Sequence, residues 1–190
     1  KLQKEGFQKI NISINYMGSK IKKFLLKKKV VKKTNLEFIE EKKPLGTAGS
    51  IKYLKLKDDN FLLVNCDIKL NVDFSRIIDF HLLQKSDITI ISKRFVNKSN
   101  FGVLDLDSKF NVKSIQEKPI TVKYINTGAY LIKKKVINII KKDQFLDMDN
   151  LIKLALKKKY KVKSYPLYEN WIDLGKLNKL LSYKKNDVLY

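Results

Sequence analysis

Arginine is nearly missing from this 190-residue chain: of its 41 basic residues, all but Arg76 and Arg94 are lysine. Arginine is the side chain that reads bases and clamps phosphates through a bidentate fork. A net charge of +22 would otherwise point to nucleic acid or acidic lipid. With lysines spread along the whole chain beside many Asn and Ile residues, as an AT-rich coding bias would produce, the charge reads as solvated surface. It would still attract small anions. Cysteine is limited to Cys66, which excludes an internal disulfide and suggests a reducing, cytoplasmic setting. His81 is the sole histidine, mid-helix in DFHLLQK and with no nearby cysteine, so it reads as structural. Three prolines and no Ser/Gly-rich tract give no linker, and the apolar runs fall short of the roughly 20 residues of a membrane span. No internal repeat and no signal-peptide pattern is evident.

The apolar fraction of 44% suits one domain with a sizeable core. Alternating Ile10, Ile12 and Ile14 predict a strand over 9–16, and helical spacing follows over 18–29. A strand is predicted over 36–40, a helix over 47–56, a buried strand over 61–65, a helix over 74–85 and a strand over 87–95. This strand–helix repetition predicts an α/β fold, Rossmann-like and doubly wound, with a mostly parallel sheet covered on both faces. The pattern then changes. Short strands over 101–107 and 112–118 flank Asp107-Ser108-Lys109 as a hairpin, the small antiparallel insertion of the fold. A strand over 124–132, helices over 136–142 and 150–158, a strand over 162–167 extended by 171–174, and a closing helix over 175–184 complete the reading.

Four stretches carry candidate chemistry. Asp67 ends the apolar run FLLVN, and Asp173 follows another extended apolar segment. A carboxylate at a strand end is held rigidly and suits a hard cation, although Asp67 could equally cap the next turn. In PLGTAGS, residues 44–50, small residues would let a ligand approach, and the helix entry would offer unpaired N–H groups; any tight turn could share that composition. Glu117-Lys118-Pro119 ends a strand, either at a site or as a surface pair. Asn126-Thr127-Gly128 interrupts an apolar strand, as a ligand approach or a bulge would.

In order along the chain the motifs are LGTAG, NCD, FGV, EKP, INTGAYL and WIDLG. Together they resemble the sugar-phosphate nucleotidylyltransferases from about Gly6 to Leu181. NCD with LGTAG looks most like the branch often attached to CBS domains, which includes guanylyltransferases acting on hexosamine 1-phosphates. The resemblance implies an enzyme that joins an NTP to a sugar 1-phosphate, giving a nucleotide sugar and pyrophosphate. It implies Mg²⁺ held by Asp67 and Asp173, sugar contacts from Gly102, Glu117 and Asn126, a phosphate contact from Lys118, and nucleobase contacts from Gly46 and Thr47. Glu41, where relatives using uridine or thymidine nucleotides carry Gln, would suit guanine: a carboxylate only accepts, and guanine presents adjacent N1–H and N2–H₂ donors. A slip of one residue would instead make it a surface glutamate beside Glu40. The implied partners are the NTP and the sugar phosphate, with neither nucleic acid nor membrane; a homo-oligomer is left open. A uridylyl-, cytidylyl- or thymidylyltransferase, a catalytically dead nucleotide-sugar binder and a basic nucleic-acid binder remain alternatives.

The family's Gly-rich loop, of the pattern GxGxRLxPLT, is absent, since KLQKEGFQKI resembles the helix and strand that come after that loop. We therefore expect residues 1–190 to be a single nucleotidyltransferase domain lacking its first strand and the Gly-rich loop. Two strand edges would be left open, and the chain alone would have poor activity.

Overall fold

The computed structural model describes residues 2–27 and 35–175. The strand predicted first is β1 (Lys9–Ile14), followed by helix α1 (Gly18–Lys27) and β2 (Asn35–Glu40), which pairs in parallel with β1. After the short helix α2 (Gly46–Gly49) come β3 (Asn60–Val64), β4 (Ile68–Leu70), α3 (Phe74–Leu83) and β5 (Ile88–Lys98). The hairpin β6 (Val103–Leu106) and β7 (Val112–Gln116) precedes a long β8 (Ile120–Lys133), helix α4 (Met148–Lys157), β9 (Val162–Leu167) and β10 (Trp171–Asp173). The closing helix expected over 175–184 lies almost wholly outside the described residues.

The main sheet has the order β3-β8-β5-β9. β8 is antiparallel to β3 and to β5, and β5 is parallel to β9. Three of the four strands therefore run the same way, and the α/β class holds. The partner of the FLLVN strand is nonetheless the reversed β8, not a parallel neighbour, and that strand is only half-buried. Both faces are covered. On β8, Ala129 and Leu131 pack with Phe74 and Ile77 of α3, whereas Tyr130 and Ile132 pack with Leu151 and Ala155 of α4. The strand period of two assigns each side chain to its layer. β1 pairs only with β2 and β3 only with β8, so each keeps an edge without a strand beside it among the described residues.

Several expectations need correcting. The helix over 47–56 is one turn of α2 and a 3-10 turn, Ser50–Tyr53. A Cβ on Gly49 would sit 2.6 Å from the Gln144 carbonyl oxygen, so the backbone is pressed against a neighbouring segment there. The segment over 136–142 is a 3-10 helix, Lys134–Ile139. Residues 171–173 do not extend β9; they form β10 and pair with the unforeseen β4, Asp173 lying opposite Ile68. The hairpin is as expected, with Asp107 Oδ1 accepting from the N–H groups of Lys109 and Asn111.

His81 is fully buried, its Nδ1 2.7 Å from Thr89 Oγ1 and its Nε2 3.1 Å from Asn60 Oδ1. Burial, aided by the Lys133 charge and opposed by Asp87, lowers its pKa from the ordinary 6.5. Below that value the unfolded chain takes up a proton that the folded chain resists. Folding stability should be level above about pH 6.5 and fall as the pH drops toward 5. The Asp carboxyls with resolved shifts titrate below their usual 3.8 and leave that window clear. Urea midpoints at pH 7 and 5 should differ for the parent chain and not for His81→Gln.

Candidate active site

The end of β3, the β4–β10 pair and a bulge in β8 enclose a shallow cavity of about 210 Å³. Ile91 of β5 faces Ala129, but Ser92 faces Asn126, so Thr127 and Gly128 have no opposing residue. Such a bulge re-aims side chains. Thr127 is tied down, its hydroxyl donating to the Ile91 carbonyl at 2.6 Å and its carbonyl accepting from the Trp171 indole N–H at 3.1 Å. Asn126 thereby enters the cavity lining, with Asn65, Asp67, Gly128, Tyr130, Trp171 and Asp173. The Asn126 carboxamide is fixed at both ends: Nδ2 donates to the Tyr130 hydroxyl at 2.6 Å, and Oδ1 accepts from the Gly128 N–H at 3.1 Å. Burial raises the Tyr130 pKa above 10, and the phenol stays neutral.

Asp67 and Asp173 come together although 106 positions separate them in the sequence. The β4–β10 ladder brings the two segments side by side, and the Leu174 N–H donates to the Asp67 carbonyl at 2.7 Å. A Cβ on Gly175 would lie 2.8 Å from Asp67 Oδ2 and 3.2 Å from Asp173 Oδ1, so both carboxylates point at the same small volume. Asp67 is exposed and Asp173 half-buried. Two carboxylates at the cavity mouth fit a hard divalent cation whose remaining positions go to phosphate and water. No cluster of three His, Cys, Asp or Glu residues occurs among the described residues, so a dedicated all-protein cage is not what the fold offers there.

The other expected site residues lie elsewhere or have internal duties. Gly102 and Glu117 are neighbours in the exposed β6–β7 region, where a Cβ on Gly102 would meet Glu117 Oε2 at 3.1 Å. Lys118 is exposed beside Glu117, 3.8 Å away. None of the three lines the cavity. Glu41 staples the ends of β1 and β2: Oε1 accepts from the Ser13 hydroxyl at 2.5 Å, and Oε2 from the Leu45 N–H at 3.0 Å. Three of the N–H groups at the LGTAG turn that were expected to be unpaired have partners in the chain. Thr47 N–H donates to Asp147 Oδ1 at 3.1 Å, and the Ala48 and Gly49 N–H groups donate to the Leu146 carbonyl at 2.8 and 3.1 Å. The Thr47 hydroxyl accepts from the Met148 N–H, closing the start of α4. Residues that the sequence left unassigned as ligand groups but that line the cavity are Asn65, Ile68, Tyr130 and Trp171. Asn65 lies two residues before Asp67, which was the signal that could have found it.

A family model described as "Nucleotidyl transferase" matches residues 1–188. The chain belongs to this family. Among curated relatives, the mannose-1-phosphate guanyltransferase of Debaryomyces hansenii is 28% identical over all of this chain and 53% of its own length. That of Saccharomyces cerevisiae is 29% identical over all of this chain and 54% of its own length. The chain thus spans about half the length of the curated relatives it matches. Among solved structures, HddC from Yersinia pseudotuberculosis superposes with a TM-score of 0.73 at 29% identity, covering 97% of this chain and 81% of that one. The same protein complexed with GMP-PN superposes with a TM-score of 0.72 at 26% identity, over the same shares.

Proposed function

We propose that this chain carries the nucleotidyl-transferring site of an Mg²⁺-dependent sugar-1-phosphate nucleotidylyltransferase, with GTP the favoured donor and a hexose 1-phosphate the acceptor. The observation that carries the proposal is the convergence of Asp67 and Asp173 beside Asn126. A phosphate oxygen of the sugar 1-phosphate attacks the α-phosphorus of the NTP, the bond to the β-phosphate's bridging oxygen breaks, and pyrophosphate leaves. Bound Mg²⁺ would supply charge neutralisation at the reacting phosphates. Asp67 and Asp173 hold its place, and Asn126 orients the sugar. The net charge of +22 draws the anionic substrates in. Gly102, Glu117 and Lys118 enter the proposal as hairpin residues that would reach a larger ligand from outside the cavity.

Support for guanine comes from the mannose-1-phosphate guanyltransferase relatives and the GMP-PN complex. Glu41 and Thr47 add little, because their polar side-chain groups already have partners in the chain, and Gly46 is closed in by Leu146 and Asp147. Calorimetric titration of the chain with GDP-mannose, UDP-glucose, CDP-glucose and dTDP-glucose in Mg²⁺ tests both parts of the proposal. Tightest binding should be to GDP-mannose. Equal affinity for UDP-glucose would remove the guanine preference, and absence of binding to all four would remove the function.

A further inference from the structure

The cavity contains a polar group that neither the fold nor the proposed chemistry uses. Asn65 ends the ladder of β3, its N–H donating to the Gly128 carbonyl at 2.9 Å. Its carboxamide lies where a side chain at position 128 would be: a Cβ there would meet Asn65 Nδ2 at 2.8 Å and Cγ at 3.1 Å. Gly128 also has φ of +84°, a conformation that costs a side-chain-bearing residue energy. One glycine therefore places two carboxamides. Its N–H fixes Asn126, and its missing side chain makes room for Asn65. Asn126 is hydrogen-bonded at both ends, whereas the Asn65 carboxamide makes no hydrogen bond within the chain among the described residues. It is half-buried and lines the cavity.

We propose that Asn65 is a second sugar-contacting residue, paired with Asn126 around Gly128, and that its carboxamide hydrogen-bonds a ring hydroxyl of the sugar. This rests on the nucleotidylyltransferase reading and deepens it. The cavity has two chemical ends. Asp67 and Asp173 form an acidic end, suited to a cation and its phosphates, and Asn65, Asn126 and the Tyr130 hydroxyl form a neutral end. A sugar hydroxyl both donates and accepts, and a carboxamide matches it with a donor and an acceptor. A carboxamide also adds no charge to compete for the cation. At about 210 Å³ the cavity is smaller than the roughly 300–1,000 Å³ usual for drug-sized ligands, so it suits a single ring and not a whole nucleotide sugar. The nucleotide then lies outside it, and Asn65 should affect the sugar alone.

The experiment compares GDP-mannose and GDP, each in Mg²⁺, by calorimetric titration of the parent chain, Asn65→Ala and Asn65→Ser, with circular dichroism reporting the fold. Both variants should bind GDP-mannose about tenfold more weakly while their GDP affinity stays at the parent value. Should Asn65→Ala fail to fold, Asn65→Ser carries the same comparison. Unchanged GDP-mannose affinity, or equal weakening for both ligands, overturns the proposal. A parent chain that binds GDP but gains nothing from the mannosyl group overturns this proposal and leaves nucleotide binding standing. One that binds neither overturns both readings.

Discussion

Asp67→Asn should lower the Mg²⁺-dependent affinity for GDP-mannose by about a hundredfold, and Asp173→Asn should do the same. Changes one layer out from a metal typically cost 10–100-fold, and here the substitution would remove a proposed ligand itself. Fold stability should behave in the opposite sense. The two carboxylates face one small volume next to Gly175, where their like charges repel. Removing one charge leaves the tie between Leu174 N–H and the Asp67 carbonyl intact, because that bond is made by backbone. The melting temperature of either variant should stay level or rise slightly while binding is lost. Asn caps a turn as well as Asp does, so a carboxylate that served only as a cap would keep both its Tm and its Mg²⁺-dependent binding on this substitution. Retained Mg²⁺-dependent binding at unchanged Tm in Asp67→Asn would assign Asp67 to capping.

Gly46→Ala should lower stability by roughly 3 kcal/mol. Gly46 has φ of +72°, and a Cβ there would sit 2.7 Å from the Leu146 carbonyl oxygen and 2.8 Å from Asp147 Oδ1. The obstacle is backbone and a hydrogen-bonded carboxylate, neither of which yields easily. The same contact zone holds the N–H groups of Thr47, Ala48 and Gly49, so moving apart to relieve the clash would break those bonds as well. For a domain of this size the loss corresponds to a fall in Tm of about 10 °C. If Gly46 instead served mainly to let a ligand approach, Gly46→Ala would weaken nucleotide binding at unchanged Tm.

Gly46 also marks where sequence reasoning stops. PLGTAGS reads as a turn of small residues open to a ligand, but what requires the glycine lies at Leu146 and Asp147, about 100 positions away, and nothing local names them. The same holds for the bond between Glu41 and Ser13, 28 positions apart, which exists only once β1 and β2 are paired. The layers were legible, because apolar periodicity is local: Ile77 on α3 and Leu151 on α4 each declare a buried face. Strand direction was not, since an apolar run reads alike whether its neighbour is parallel or reversed, and β8 proved reversed. β4 is three residues long, too short for any period to show. Asp67 and Asp173 were legible as a pair through strand-end position and motif order. That they meet is a property of the β4–β10 ladder. Gly128 sustained two readings in the sequence, a bulge and a ligand approach, and the structure gives it the bulge at the cavity's edge.

The most direct test of the central claim uses the chain's single tryptophan. Trp171 lies in the cavity lining, two residues from Asp173, with its indole N–H donated to the Thr127 carbonyl. Mn²⁺ in place of Mg²⁺ broadens nearby NMR signals. Titrating Mn²⁺ in the presence of GDP-mannose should broaden the one indole N–H resonance in the parent chain and leave it sharp in the Asp67→Asn, Asp173→Asn double variant. An indole signal that stays sharp in the parent chain while GDP-mannose binds would place the metal and its nucleotide elsewhere, and would contradict the account.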